Sequence, residues 1–296
     1  MDNKNIEEFG RTLAIKTKDR LGEGYDTKYK VMEKNNGTVK HGIVIRKEEL
    51  NISPTVYIDA FYEDYRNGRN ISDILDGVIA SYEQYMPSGN VDVSFFEEFE
   101  SASDRLAFRL MGIRENKEYL KNIPYRKFEN LAMVPVCIVR DDIIGEGMIT
   151  INDSHLESWG ITKRKLWKNL KETAAKVAPV KMIPMVEMLD DRFLGDVGTL
   201  KDIIIVTNQS KNYGAGAVLY PGVLKSIAEK CGRNLYVLPA SVHEVIVLPE
   251  SDKAGEKEIL EEIVRNVNAD VLGRDDFLSD MVYYYNKDEE TFGLCG

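Results

Sequence analysis

Seven short runs of β-branched and apolar residues, each closed by turn residues, succeed one another in the C-terminal part of the chain. They are Leu131–Arg140, Gly147–Ile151, Lys181–Met188, Asp202–Thr207, Ala215–Tyr220, Asn234–Leu238 and His243–Leu248. Side chains of this kind fit a pleated, half-buried surface, so each run reads as a strand. Between them the apolar period changes to that of a helix. Leu166, Trp167, Leu170, Ala174 and Val177 mark one amphipathic face; Val223, Leu224, Ile227 and Ala228 a second; Ile259, Leu260, Ile263, Val264 and Val267 a third. The fold class this implies is α/β with an α+β tendency: mixed sheets containing hairpins, flanked by amphipathic helices.

The N-terminal part is local in character. Ile6, Phe9, Leu13 and Leu21 recur at helical spacing, giving a helix over residues 5–21 that Gly22 and Gly24 end. Lys28–Lys34 and Thr38–Arg46 are strand-like and are separated by Asn35-Asn36-Gly37, a sequence that favours the left-handed conformations of a tight hairpin. After the TVYI run, Ile71, Ile74, Leu75, Val78, Ile79 and Tyr82 trace a helix face ahead of Pro87. Two units follow, residues 1–90 and residues 91–296. Beyond the linker, SFFEEFESASDRLAFRL (94–110) reads as helical, and residues 116–122 as a short helix stopped before Pro124. Ile45 to Leu50, Ile151 to Leu156 and Leu219 to Leu224 each set a strand-ending apolar residue five positions before a leucine that opens a helix. An internal duplication would explain this, as would the ordinary geometry of strand-to-helix turns.

Composition narrows the function classes. Hydrophobic residues make up 43% of 296 and charged residues 30%, which supports a folded chain rather than a disordered one. The first residues carry neither the apolar core of a signal peptide nor an Arg/Ser-rich transit pattern, and no long apolar run is present, so a cytoplasmic location without membrane insertion is expected. Cys137, Cys231 and Cys295 are widely spaced and odd in number, which argues against a disulfide framework. His41, His155 and His243 form no local metal motif, so neither a metal nor a cofactor is expected. A net charge of −10 repels phosphate backbones and disfavours direct nucleic-acid binding, unless basic groups are gathered on one face. The densest basic stretch, Lys163 to Lys171 beside Trp167, reads as a solvated helix surface more readily than as a phosphate contact.

Two segments could carry chemistry. In LPASVHEVIVLP (238–249) a strand would set Ser241 and His243 on one face and Val242 and Glu244 on the other. A serine near a histidine suggests a nucleophile and its base, although side chains two apart on a strand stand side by side and no acid partner can be identified from sequence; Ser241, His243 and Glu244 are the candidate positions. The alternative is that His243 braces a turn through hydrogen bonds to backbone or to a carboxylate. In TNQSKNYGAGAVLYP (207–221) a strand runs into a loop where Asn208, Gly214 and Gly216 could meet a ligand, glycines allowing amides to approach an anionic group. The spacing fits neither GxxxxGK[ST] nor GxGxxG, and a glycine-bearing hairpin turn accounts for it equally. Cys137 lies in an apolar run and reads as a buried, inert thiol. The acidic pairs Asp141-Asp142, Asp190-Asp191 and Asp275-Asp276 lack EF-hand spacing and read as solvated. Trp159 and Trp167 read as core rather than as a stacking platform, and Tyr283 and Tyr285 would share one strand face.

The ordered blocks HGIVIR, SPTVYIDAFYEDYRNG, IASYEQY, VPVC, ITINDSHLESWGI, VTNQSKNYGAGAVLY, LYVLPASVHEVIVLP and DDFLSDMVYYY span nearly the whole chain. It resembles a domain-of-unknown-function family of anaerobic Gram-positive bacteria, often encoded on mobile elements. The resemblance implies a cytoplasmic bacterial protein and supplies no catalytic residue. The reading that follows is a non-enzymatic binding or accessory protein, with a host protein as a candidate partner. A hydrolase or nucleotide-processing enzyme built around residues 208–216 and 241–244 is the alternative.

Overall fold

A computed structural model of the chain describes residues 3–188, 202–251, 256–270 and 273–295. The chain divides into two compact units, the first made of Met1–Ser94 with Arg140–Gly147 and the second of Phe95–Val139 with Met148–Gly296. Together they hold helices and antiparallel sheets in comparable measure, a mixed α/β fold. Among the described residues no helix is long and apolar enough to cross a membrane.

In the first unit, α1 (Asn3–Leu21) is followed by β1 (Tyr25–Glu33), β2 (Val39–Lys47), β3 (Thr55–Tyr57), α2 (Asp59–Arg66) and α3 (Ile71–Tyr85). The strands form one antiparallel sheet in the order β1-β2-β3, with Tyr25 opposite Lys47 and Glu33 opposite Val39. The hairpin turns through a short 3₁₀ segment, Asn35–Gly37, in which Asn36 (φ 59°) and Gly37 (φ 63°) are left-handed. Asparagine and glycine are the residues that enter that region most easily, so the Asn-Gly signal has its physical basis here. Ile6, Phe9 and Leu13 of α1, Ile43 and Ile45 of β2 and Ile74, Val78 and Tyr82 of α3 share one buried cluster. All three helices therefore cover the same face of the sheet.

The remaining elements, which belong to the second unit except where β6 and β7 run into Arg140–Gly147, are α4 (Phe99–Ala102), β4 (Leu106–Gly112), β5 (Arg126–Phe128), β6 (Leu131–Asp141), β7 (Gly145–Thr150), α5 (Asp153–Ser158), α6 (Lys163–Val177), β8 (Val180–Pro184), β9 (Ile204–Asn208), α7 (Val223–Cys231), β10 (Leu235–Pro239), β11 (Val245–Pro249), α8 (Glu256–Asp270), β12 (Tyr283–Asn286) and β13 (Thr291–Leu294). A six-stranded antiparallel sheet runs β13-β12-β10-β11-β9-β8. A smaller one has β6 between β4 and β5, with β7 also paired to β6. Leu106 and Leu110 of β4, Leu166, Trp167 and Leu170 of α6, and Val237 and Val247 of the large sheet belong to one core.

Four expectations are corrected. Residues 94–110 are not one helix: after α4 and a 3₁₀ turn the chain enters β4, where every residue from Leu106 to Gly112 is paired with β6. Every residue of β4 but the half-buried Arg109 is buried, as in a strand covered on both faces, and pairing outweighs the helical tendency of the preceding acidic stretch. Residues 215–220 are not a strand but a buried 3₁₀ turn over Gly214–Leu219, apolar because it fills the core rather than because it joins a ladder. The strand expected over residues 243–248 is β11 and begins at Val245, so Ser241 and His243 lie in the β10–β11 connection and do not share a strand face. Of the three strand-then-leucine segments only Ile151 to Leu156 keeps its form, since Leu50 opens no helix and Leu219 ends a 3₁₀ turn. Asp190-Asp191 lies outside the described residues.

Candidate functional site

The end of β9 and the β10–β11 connection are held together by backbone and side-chain hydrogen bonds. The Thr207 hydroxyl donates to the His243 carbonyl at 2.8 Å, and the Ala215 N–H donates to the Val242 carbonyl at 3.3 Å. Val242 N–H in turn donates to the Asp276 carbonyl at 2.8 Å, which brings in a third segment. The two regions singled out in the sequence thus meet, and Asp276, from an acidic pair read as solvated, joins them through its backbone carbonyl.

Asn208 serves its own loop. Its amide nitrogen donates to the Asn212 carbonyl at 2.8 Å, while its Oδ1 accepts from Asn212 N–H at 3.2 Å and from the Ser210 hydroxyl at 3.1 Å. Every polar atom of this buried amide is engaged in shaping residues 208–212. Gly214 is required by close approach: a Cβ there would stand 2.3 Å from Thr207 Oγ1 and 2.4 Å from the Asn208 nitrogen. Gly216 is packed in the same way: a Cβ there would stand 3.1 Å from the Phe108 ring. Both glycines are filled around by protein atoms.

His243 has both ring nitrogens occupied. Nδ1 accepts the Tyr213 backbone N–H at 3.1 Å, so the neutral ring carries its proton on Nε2, which lies 3.2 Å from the Asp276 carboxylate. A general base needs a free lone pair facing its substrate, and in this arrangement Nδ1 spends that lone pair on backbone. Ser241 does not meet the imidazole. Its hydroxyl accepts the His243 backbone N–H at 3.0 Å, and its own N–H donates to the Glu244 carbonyl at 3.1 Å, closing a tight turn to which Glu244 contributes backbone.

What His243 does hold is Tyr213, a non-glycine residue at φ 49° whose ring lies 5.1 Å from the imidazole. On its other side Tyr213 meets Arg109 of β4, whose guanidinium carbon is 4.9 Å from the ring centroid. Arg109 also lies 6.0 Å from the Tyr119 ring and donates from Nη2 to the Tyr119 hydroxyl at 3.2 Å; that hydroxyl donates to Thr150 Oγ1 at 3.2 Å. The Arg109 Nε is buried without a hydrogen-bond partner, and no carboxylate of the described residues pairs with this guanidinium. Two tyrosine faces each contribute on the order of 0.5–2 kcal/mol to holding such a cation, which is less than a buried charge ordinarily loses in hydration. An arginine left in this state is equipped to accept an anionic group.

Sequence reading missed Arg109 because it sits inside the stretch assigned to a helix. Read at period two, the single charge in LAFRLMG is the signal that could have found it. Tyr119, Tyr213 and Asp276 carried none.

The remaining candidates occupy structural positions. Cys137 is fully buried, and burial pushes its thiol up to about 12. His155 closes a capping box at the start of α5, its Nδ1 accepting the Asn152 N–H at 3.2 Å. Trp167 is buried and donates to the Pro124 carbonyl, while Trp159 donates to the Phe96 carbonyl. Tyr283 and Tyr285 are buried on one face of β12 and Tyr284 is not. Lys163 and Lys165 lie over Tyr125 and Phe99, with Lys165 also paired to Glu100 at 3.2 Å. Among the described residues no group of three His, Cys, Asp or Glu side chains is placed to hold a metal ion.

No curated protein matches the chain, and no solved structure does. The sequence pattern of one family, described as a family of unknown function, matches residues 6–287. That span takes in every residue of the Arg109–Tyr213–His243 array, and the chain belongs to the DUF5688 family.

Proposed function

We propose that this chain is a non-enzymatic binding protein whose second unit receives an anionic group, a carboxylate or a phosphate, against Arg109. The observation that carries the reading is the state of Arg109: a half-buried guanidinium between two tyrosines, with Nε unpaired and, among the described residues, no carboxylate partner. His243 and Asp276 act at one remove, fixing Tyr213 in its left-handed conformation so that its ring stays over the guanidinium. A cytoplasmic accessory role, on a mobile element and directed at a host protein, is the setting we propose for it.

A hydrolase or nucleotide-processing enzyme remains a second reading, favoured by the exposure of the His243–Asp276 pair, whose side chains are 33% and 48% accessible. One experiment separates the two. Phosphate, AMP and succinate are titrated into the full chain by calorimetry, beside a screen of chromogenic phosphate and carboxylate esters. At least one anion binds the wild type and not Arg109→Met, with no turnover, if the binding reading holds. Turnover that disappears in His243→Gln while folding is retained supports the enzyme instead, and absence of binding by all three anions removes the Arg109 site.

A further inference from the structure

The three-stranded sheet of the first unit has two faces of opposite character. One is covered by the helices through Ile43, Ile45 and Val56. The other carries the alternate residues, which the register sets side by side: Asp26 opposite Arg46, Lys28 opposite Val44, Lys30 opposite Gly42, Met32 opposite Lys40, then Gly42 opposite Tyr57 and Val44 opposite Thr55. Lys28, Lys30 and Arg46 are exposed and Lys40 is half-buried. The face thus holds Lys28, Lys30, Lys40 and Arg46 against the single carboxylate of Asp26, which itself lies 3.5 Å from Lys28 and 3.9 Å from Lys18. On a chain of net charge −10 this is a local reversal of sign.

At the centre of the same face Gly42 is buried: a Cβ there would stand 2.6 Å from the Thr55 methyl and 3.7 Å from the end of Met32, so these two side chains close over it. Beside it the Tyr57 ring is 41% exposed, and the Lys34 ammonium lies 4.9 Å from its centroid. Lysines two apart on a strand stand about 7 Å from one another, so Lys28 and Lys30 form a row of cations at one margin of a platform that ends in an aromatic ring.

We propose that this face binds single-stranded nucleic acid, with backbone phosphates along Lys28, Lys30 and Lys40 and a base stacked on Tyr57. Cations that follow a backbone, combined with an exposed aromatic ring, are what sequence-tolerant single-strand binding requires. A duplex is a poorer fit, because its bases are already stacked and its grooves take a helix or a ribbon rather than the flat of a sheet. An acidic peptide would use the cations but has no need of Tyr57. The Lys34 ammonium is placed to follow the phosphate of whichever base displaces it from the ring. Net negative charge disfavours nucleic-acid binding only when the basic groups are scattered, and here the hairpin register collects them.

The test is fluorescence anisotropy of a labelled oligothymidylate and its RNA counterpart with the full-length protein, set against a labelled polyglutamate peptide. Both oligonucleotides are expected to bind, with log K falling against log salt at a slope of roughly −2, as about three phosphate contacts on a single strand require. Lys28→Glu combined with Lys30→Glu should weaken binding more than tenfold, and Tyr57→Ala by roughly tenfold for the oligonucleotides alone. These side chains are exposed, and circular dichroism of each variant verifies that the fold is kept. Failure of either oligonucleotide to bind at low salt overturns the proposal. So does polyglutamate binding as tightly with Tyr57→Ala without effect, which would make the face a site for an acidic protein segment.

Discussion

The backbone N–H of Tyr213 donates to Nδ1 of His243 across 3.1 Å, and the two rings lie 5.1 Å apart. One histidine therefore fixes both the backbone and the side chain of a residue that holds an uncommon left-handed conformation at φ 49°. Non-glycine residues in that region cost on the order of 1 kcal/mol or more, so the surrounding contacts must over-determine them.

Removing the imidazole should therefore show as lost stability. His243→Ala takes away the acceptor for Tyr213 N–H and the partner of Asp276, and a loss of about 1–3 kcal/mol is expected in urea denaturation. An unchanged midpoint, with the slope also unchanged, would mean that Tyr213 is held by other contacts.

Burial raises the Cys137 thiol to about 12, whereas Cys231 and Cys295 are only partly buried. The thiolate is the reactive form, so Cys137 should resist Ellman's reagent at neutral pH in the native protein and react only on unfolding. Cys231 should react first, since burial raises the Cys295 thiol as well. Rapid native modification of Cys137, located by mass spectrometry, would contradict this packing.

His155 titrates below its ordinary value of 6.5 because burial disfavours the charged ring, and the folded protein binds that proton less readily than the unfolded chain. Between the lowered folded value and 6.5 the unfolded state holds more protons. Stability contributed by the neutral ring is therefore present above 6.5 and lost as pH falls through that window. Glutamine at this position can still close the capping box but does not titrate. His155→Gln should narrow the stability difference between pH 7 and about pH 5 in urea titrations, and an unchanged difference would place the acid sensitivity elsewhere.

Local pattern was enough for α1, the β1–β2 hairpin, α3, α6 and the strands β6, β9 and β10, because an apolar period of 3.6 or 2 is written within each element and needs no distant partner. The Asn36-Gly37 turn belongs with these, since left-handed backbone is a property of the residues themselves. The placement of Asn208, Gly214, Ser241 and His243 near one another was also suggested by sequence, though not the bonds that join them. Tertiary structure decided the rest. Whether Leu106–Gly112 extends depends on β6 being present to pair with it, and the apolar Gly214–Leu219 turn is buried by packing that no short-range period encodes. Arg109, Tyr213, His243 and Asp276 come from four separated stretches, and hydrogen bonds between residues 30 or more positions apart leave no local signature. The basic face of the first unit stands between the two cases: lysines alternate visibly along β1, but only strand pairing sets Lys40, Arg46 and Tyr57 beside them and turns scattered charges into a surface.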